Sequence, residues 1–242
     1  MVPKATASTE SSRSTAAHVE PNDRPHFRPS KKDVIAALAD EILHNYGKGR
    51  VIVAVDGVDG AGKTEFANAL AAQLAIGHRA VFRASIDDFH MPRVRRYAKG
   101  KSSPEGFYLD SYDYPTFKRM LTEPFRTGWI GSFNLRAFDL KRDVPFEPVW
   151  SSGPQDAILI IDGIFLNRPE LRGIWNYSIW LDVDSDVAAA RMLERDGRSP
   201  NPERYTDGQK LYLKEANPRE AATAIVDNSD FDHPRRIFAD SC

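Results

Sequence analysis

The first clear periodicity falls at Val34, Leu38 and Ile42, apolar positions four apart that form one stripe on a helix starting near Lys31 and ending near Gly47. The next apolar run has a different pattern. Val51-Ile52-Val53-Ala54-Val55 is continuous and β-branched, as in a strand buried on both faces. Runs of the same kind recur at 80–86, 157–161, 177–183 and 224–226. Helical patterns lie between them: an Ala- and Leu-rich segment at 65–74, then 114–127, 185–196 and 203–216. Buried strands alternating with helices predict an α/β fold, a mostly parallel sheet with helices on both faces.

Two stretches interrupt this alternation. Residues 91–113 and 128–155 are dense in Pro, Gly, Arg and aromatics and carry little aliphatic periodicity. Long segments of that kind inside a domain usually carry function, and a flap over a substrate is expected there. Residues 1–30 are rich in Ser, Thr, Ala and Pro, which predicts a disordered tail ahead of a single domain over 31–242. Glu10, Glu20 and Asp23 argue against an organelle transit peptide. No internal repeat is present.

Between the first buried strand and the helix after it stands Gly57-Val58-Asp59-Gly60-Ala61-Gly62-Lys63-Thr64, a match to G-x-x-x-x-G-K-[ST]. Strand, glycine loop and helix is the context that pattern needs. Glycines let successive N–H groups turn inward on an anion, and the helix N-terminus adds its positive end. Gly57, Asp59, Gly60, Ala61, Gly62, Lys63, Thr64 and Glu65 are therefore expected to bind a nucleotide. Lys63 reaches the β- and γ-phosphates, and the Thr64 hydroxyl suits Mg²⁺. The predicted fold is that of P-loop NTPases.

In an open parallel sheet, ligands lie beyond the carboxyl ends of the strands. After the strand at 80–86 comes Asp87-Asp88-Phe89-His90. A carboxylate there can take the proton of an acceptor hydroxyl or help hold a metal; an acidic turn or helix cap is the plainer reading. After the strand at 157–161 comes Asp162-Gly163-Ile164, four apolar residues ending in an acid that orients Mg²⁺ through water. No Glu follows Asp162 directly, which weighs against ATP hydrolysis, and no Asn-Lys-x-Asp guanine signature is found. After the strand at 177–183, Arg191, Arg195 and Arg198 fall near one helix face. Such a row can close over a triphosphate, or form a solvated basic face. Gly197-Arg198-Ser199-Pro200-Asn201-Pro202 reads as a hinge, so a lid is expected over about 191–207. In the first flap segment Arg93, Arg95, Arg96, Lys99 and Lys101 interleave with Tyr97, Phe107 and Tyr108. That suits a nucleobase, an anionic substrate or a plain exposed loop equally.

A net charge of −1 over 242 residues gives no general pull toward nucleic acid or acidic membranes. Cys242 is the one cysteine, so no internal disulfide forms. No apolar stretch approaches the length of a membrane span, and the first residues lack the apolar core of a secretory signal. A cytoplasmic protein is expected. His78, His90 and His233 show no zinc spacing.

The glycine loop, the Asp87-Asp88-Phe89-His90 tetrad, the Asp162-Gly163-Ile164 turn and the Arg191/Arg195-Asp196 segment together resemble the uridine kinase and phosphoribulokinase group of P-loop kinases, over roughly residues 50–230. The resemblance implies that Asp87 is the catalytic carboxylate and a metal ligand, with Thr64 and water-linked Asp162. It implies that Lys63, Arg191 and Arg195 stabilise the transferring phosphate and that Arg198 contacts the nucleotide. Tyr112-Asp113-Tyr114-Pro115 resembles the family's Phe-Asp-His-Pro, and Phe138-Asp139 its Tyr-Asp pair. Asp88, His90, Arg93, Tyr108, Tyr112, Tyr114 and Asp139 are accordingly expected around the substrate. The chain departs from the family at Asp162, where Glu is usual, at Tyr114, where His is usual, and in its Arg-rich flap. The expected activity is Mg²⁺- and ATP-dependent phosphorylation of a small molecule, foremost the 5′-OH of uridine or cytidine. A sugar phosphate or pantothenate-like acid is the alternative acceptor, and a non-catalytic nucleotide sensor the alternative class. No nucleic-acid or membrane partner is expected, and a homo-oligomer is compatible with the sequence.

Overall fold

Six strands hydrogen-bond side by side in the computed structural model, which describes Met1 and residues 28–127, 131–197 and 202–238. In chain order the framework is α1 (Lys31–Asn45), β1 (Val51–Gly57), α2 (Lys63–Ile76), β2 (Val81–Ser85), α3 (Pro104–Asp110), a helical run α4 made of Tyr114–Phe117, Lys118–Thr122 and Glu123–Thr127, β3 (Ile158–Asp162), β4 (Tyr177–Asp182), α5 (Ser185–Asp196), α6 (Pro202–Ala216), β5 (Ala224–Asp227) and β6 (Arg235–Ile237). The sheet order is β6-β5-β4-β1-β3-β2. All neighbours are parallel except β6, which runs antiparallel to β5. The order reverses at β1, so its carboxyl end opens at the switch point where ligands bind in such sheets.

The alternation of side chains along β1 divides the core in two. Val51, Val53 and Val55 join Ile158, Ile160, Ile179 and Leu181 beneath α1 and α2. Ile52 and Ala54 join Leu159, Ile161 and an aromatic cluster on the opposite face. Every residue of β1 and β3 is buried. Each such aliphatic side chain contributes about 1.5–3 kcal/mol by leaving water. Helix α1 begins where its cap allows: Ser30 and Asp33 bond each other's main-chain N–H groups in a capping box.

The flap is more ordered than its composition suggested. Arg93–Arg96 makes one helical turn, α3 follows, and two short antiparallel ladders pair Phe133–Asn134 with Trp150–Ser151 and Phe138–Asp139 with Val144–Pro145. The signal for α3 is present in the sequence: Ser103 caps Gly106 N–H with Pro104 in the first turn. Helix α3 crosses α6 so closely that a Cβ on Gly208 would lie 2.6 Å from Phe107 Cδ1. The middle turn of α4 is a π-turn. Strand β6 went unread because Arg235-Arg236-Ile237 is short and basic, the usual character of an exposed edge. Most of the expected tail and the lid residues 198–201 lie outside the described residues. Among the described residues no helix is long and apolar enough to cross a membrane.

Candidate active site

The glycine loop leaves β1 and enters α2 through Gly62, the helix N-cap, at φ +82°. A Cβ there would strike Phe231 at 2.5 Å, so glycine serves both backbone and packing. No side chain caps α2. Its first N–H groups are thus free to meet an anion, the donor set a phosphate chain needs. Lys63 Nζ crosses the loop to the Val58 carbonyl at 2.8 Å. Glu65 is exposed on the first turn of α2.

Thr64 Oγ1 donates to Asp162 Oδ2 at 2.6 Å. Residues 158, 160 and 162 of β3 face α2, and that parity brings the carboxylate under the loop. A hydroxyl backed by a carboxylate is the donor pair that Mg²⁺ bound to a nucleotide requires, so the residues present fit that ion. Asp162 Oδ1 is held by Arg83 Nη2 at 2.7 Å. Gly163 then turns at φ +152°, and a Cβ there would collide with Ile86 Cγ2 at 2.2 Å. The close approach sets the Asp162 turn against the short 3₁₀ turn Ile86–Phe89 that carries Asp87.

Asp87 is exposed at the carboxyl edge of the sheet, and Tyr112 OH donates to its Oδ1 at 2.9 Å. Burial and the neighbouring Asp87 carboxylate push the Tyr112 hydroxyl well above its ordinary pKa, so it remains a donor. The His90 ring lies 4.6 Å from that of Tyr112, and its Nδ1 donates to the Asp87 main-chain carbonyl at 2.7 Å. Asp88 is half-buried; burial first and Asp87 second raise its pKa. Asp59 in the loop is also raised, by burial, and both its N–H and its carboxylate meet the Gln209 amide of α6, at 2.8 and 3.3 Å. Beneath the loop Asp56 is fully buried among donors: Gly57 N–H, Asn167 N–H and Nδ2, and the Tyr212 hydroxyl. Burial raises its pKa.

The arginines expected over the phosphate are placed differently from one another. Arg191 gives its guanidinium to the carbonyls of Gly60, Asn228 and Ser229 at 2.9–3.2 Å and stacks 3.4 Å from the Phe231 ring centre. It braces the glycine loop from outside. Arg195 pairs with Asp196 at 2.6 Å on the exposed end of α5. Arg198 lies outside the described residues.

Two of the flap's basic groups, Arg96 and Lys99, are committed to partners within the fold. Buried Arg96 donates to Met91 O and pairs with Asp143 at 3.2 Å. Buried Arg204 of α6 holds the carbonyls of Gly100, Ser103 and Arg96. Lys99 pairs with Asp110. Arg93 and Arg95 remain exposed. Asp139 spends one oxygen on the N–H groups of Lys141 and Arg142, capping a turn.

Tyr108 and Tyr114 lie inside the aromatic cluster, and among the described residues their buried hydroxyls have no hydrogen-bond partner. Arg168 stacks on both rings, at 4.3 and 5.3 Å. Burial pushes the Tyr108 hydroxyl up to about 12. Beside His90 opens a cavity of about 480 Å³ walled by Phe89, Phe138 and Phe146 with the carboxylates of Asp113 and Glu147.

Arg83, Asp56, Gln209, Arg168 and Phe231 escaped the sequence reading. Arg83 and Asp56 left a trace there, each as a charge within a largely apolar strand.

No family model matches the chain. It is 25% identical over 155 residues to a uridine kinase of Geobacillus sp. strain WCH70, covering 62% of this chain and 69% of the relative. It is 24% identical over 145 residues to uridine kinase-like protein 5 of Arabidopsis thaliana, covering 60% of this chain and 30% of that longer relative. A solved structure described as a possible uridine kinase from Bacillus stearothermophilus superposes with a TM-score of 0.66 at 23% identity, over 80% of this chain and 97% of that one. The chain is thus similar in sequence to a uridine kinase and a uridine kinase-like protein, and it shares the fold of a possible uridine kinase.

Proposed function

We propose that the chain transfers the γ-phosphoryl group of ATP to a hydroxyl of a small neutral molecule, foremost the 5′-OH of uridine or cytidine. The observation that carries the reading is the placing of Asp87. It stands exposed at the sheet edge, steadied by Tyr112 at 2.9 Å, on the turn that packs against Asp162-Gly163. In that position it takes the proton of an acceptor hydroxyl as the hydroxyl attacks. The loop N–H groups and Lys63 orient the phosphates and offset charge on the transferring group. Mg²⁺ bound with the nucleotide, held by Thr64 and through water by Asp162, would add further charge compensation. Little covalent chemistry falls to the protein, so positioning dominates.

Neutrality of the acceptor is supported by the flap. Arg96 and Arg204 are committed to carbonyls and Asp143, and the cavity beside His90 is walled by phenylalanines and carboxylates. Carboxylates repel an anion and accept hydrogen bonds from hydroxyls. The second reading, a sugar phosphate or pantothenate-like acid, rests on exposed Arg93 and Arg95. The test is acceptor-dependent ADP release from MgATP with uridine, cytidine, ribulose 5-phosphate and pantothenate. Release with a nucleoside is expected. Release only with an anion selects the second reading, and ATP binding without release to any acceptor leaves a nucleotide sensor.

A further inference from the structure

Among the described residues Arg83 is the one arginine that pairs with the carboxylate beneath Thr64, and its neighbours fix it there. Its position in β2 pairs with Ile160 of β3, and Ser85 pairs with Asp162. Val81 packs beneath α2, and residue 83 shares its parity, so the Arg83 side chain rises toward α2 on the same sheet face as Asp162. Four acceptors hold the guanidinium. Nη2 meets Asp162 Oδ1 at 2.7 Å, Nη1 meets Ile160 O at 2.7 Å and Ala84 O at 3.3 Å, and Nε meets Asn68 Oδ1 at 3.1 Å. Asn68 and Thr64 are four residues apart on α2 and so share a face. The result is a closed ring, Thr64 to Asp162 to Arg83 to Asn68 and back along the helix, that joins α2 to β2 and β3.

We infer that Arg83 is a positioning residue for the metal-nucleotide complex: it locks the Asp162 carboxylate by one oxygen so that the other faces Thr64 and the ion. The inference rests on the phosphotransfer reading of the same loop. A carboxylate with both oxygens free rotates and accepts from any nearby donor. One pinned by a charge-assisted bond of 2.7 Å keeps a single orientation. The side chain of Asp162 is only 3% exposed, so its partners in the fold are the guanidinium and Thr64 rather than bulk water. Arg83 also cancels the Asp162 charge locally. The pair then offers little attraction to a free cation, and the ion arrives with the charge of the nucleotide phosphates.

The experiment compares the full chain with Arg83→Met and Arg83→Lys. Calorimetry measures the affinity for ADP with and without Mg²⁺, a readout that needs no turnover, and Mg²⁺ is titrated at saturating ATP. Removing a residue that orients a metal ligand typically costs about tenfold or more in metal affinity. Arg83→Met is expected to lose about tenfold in the Mg²⁺-dependent gain in ADP affinity, with metal-free ADP binding within about twofold of the unaltered chain. Arg83→Lys recovers part of the loss, since an ammonium restores charge without the fork. Asn68→Ala, which frees only Nε, covers the case in which Arg83→Met does not fold; a smaller loss in the same direction is expected. An unchanged Mg²⁺-dependent gain in a folded Arg83→Met chain, or in Asn68→Ala where that chain does not fold, overturns the inference and leaves the phosphotransfer reading standing. Absence of any ADP binding by the unaltered chain overturns both.

Discussion

Asp56 shows at the residue scale how much of the site lies under the glycine loop. Its parity in β1 turns it away from α2 and into the aromatic face, where the Tyr212 hydroxyl and Asn167 meet it. A buried carboxylate is tolerable only when its lone pairs are filled. Tyr212→Phe removes one donor without changing the shape of the core. The expected loss is about 1–3 kcal/mol, read as a lower urea midpoint. An unchanged midpoint would mean that Gly57 and Asn167 alone satisfy the carboxylate. The sequence carries no mark of this pairing. Asp56 and Tyr212 are separated by 156 residues, Arg83 and Asp162 by 79, and neither pair has a spacing that local periodicity can reveal. Asp87, Lys63, Thr64 and Asp162 were legible for the opposite reason: each stands in or beside a local motif at a strand end or a helix start.

At the scale of elements, two helices steady the loop from outside. Helix α5 does so through Arg191, which ties Gly60 to the turn after β5, and α6 does so through Gln209 on Asp59. Helices that grip the phosphate loop from outside hold its N–H groups in place for a nucleotide. Arg191→Met cuts the first tie and is expected to raise KM for ATP about tenfold while KM for the acceptor moves less than about twofold, measured by steady-state kinetics with each substrate varied. A fall in kcat with both KM values unchanged would assign Arg191 to the transferring phosphate instead. The strands and long helices were legible because their apolar spacing extends over whole elements. Helix α3 was hidden by the Gly, Pro and aromatic content of its surroundings, although Ser103-Pro104-Glu105 is a start signal. The role first read into Arg96 turned on burial: inside the flap it finds the Met91 carbonyl and Asp143 before it finds a ligand.

Over the whole molecule the sheet divides the work by position along its carboxyl edge. β1 delivers the glycine loop, β3 the acid beneath Thr64, and β2 the turn with Asp87, while flap and α6 close the side toward the aromatic face. In the proposed function the nucleotide side, on β1 and β3, adjoins the acceptor side on β2, and the central claim is that Asp87 acts on the acceptor and not on the nucleotide. Asp87→Asn tests it most directly, because the amide keeps the size and the Tyr112 contact but not the basicity. MgATP turnover with the best acceptor is measured beside the dissociation constant for ADP. The account predicts a loss of turnover of about 10³-fold or more with ADP affinity within about twofold. Turnover near that of the unaltered chain would contradict it and remove Asp87 from the chemistry.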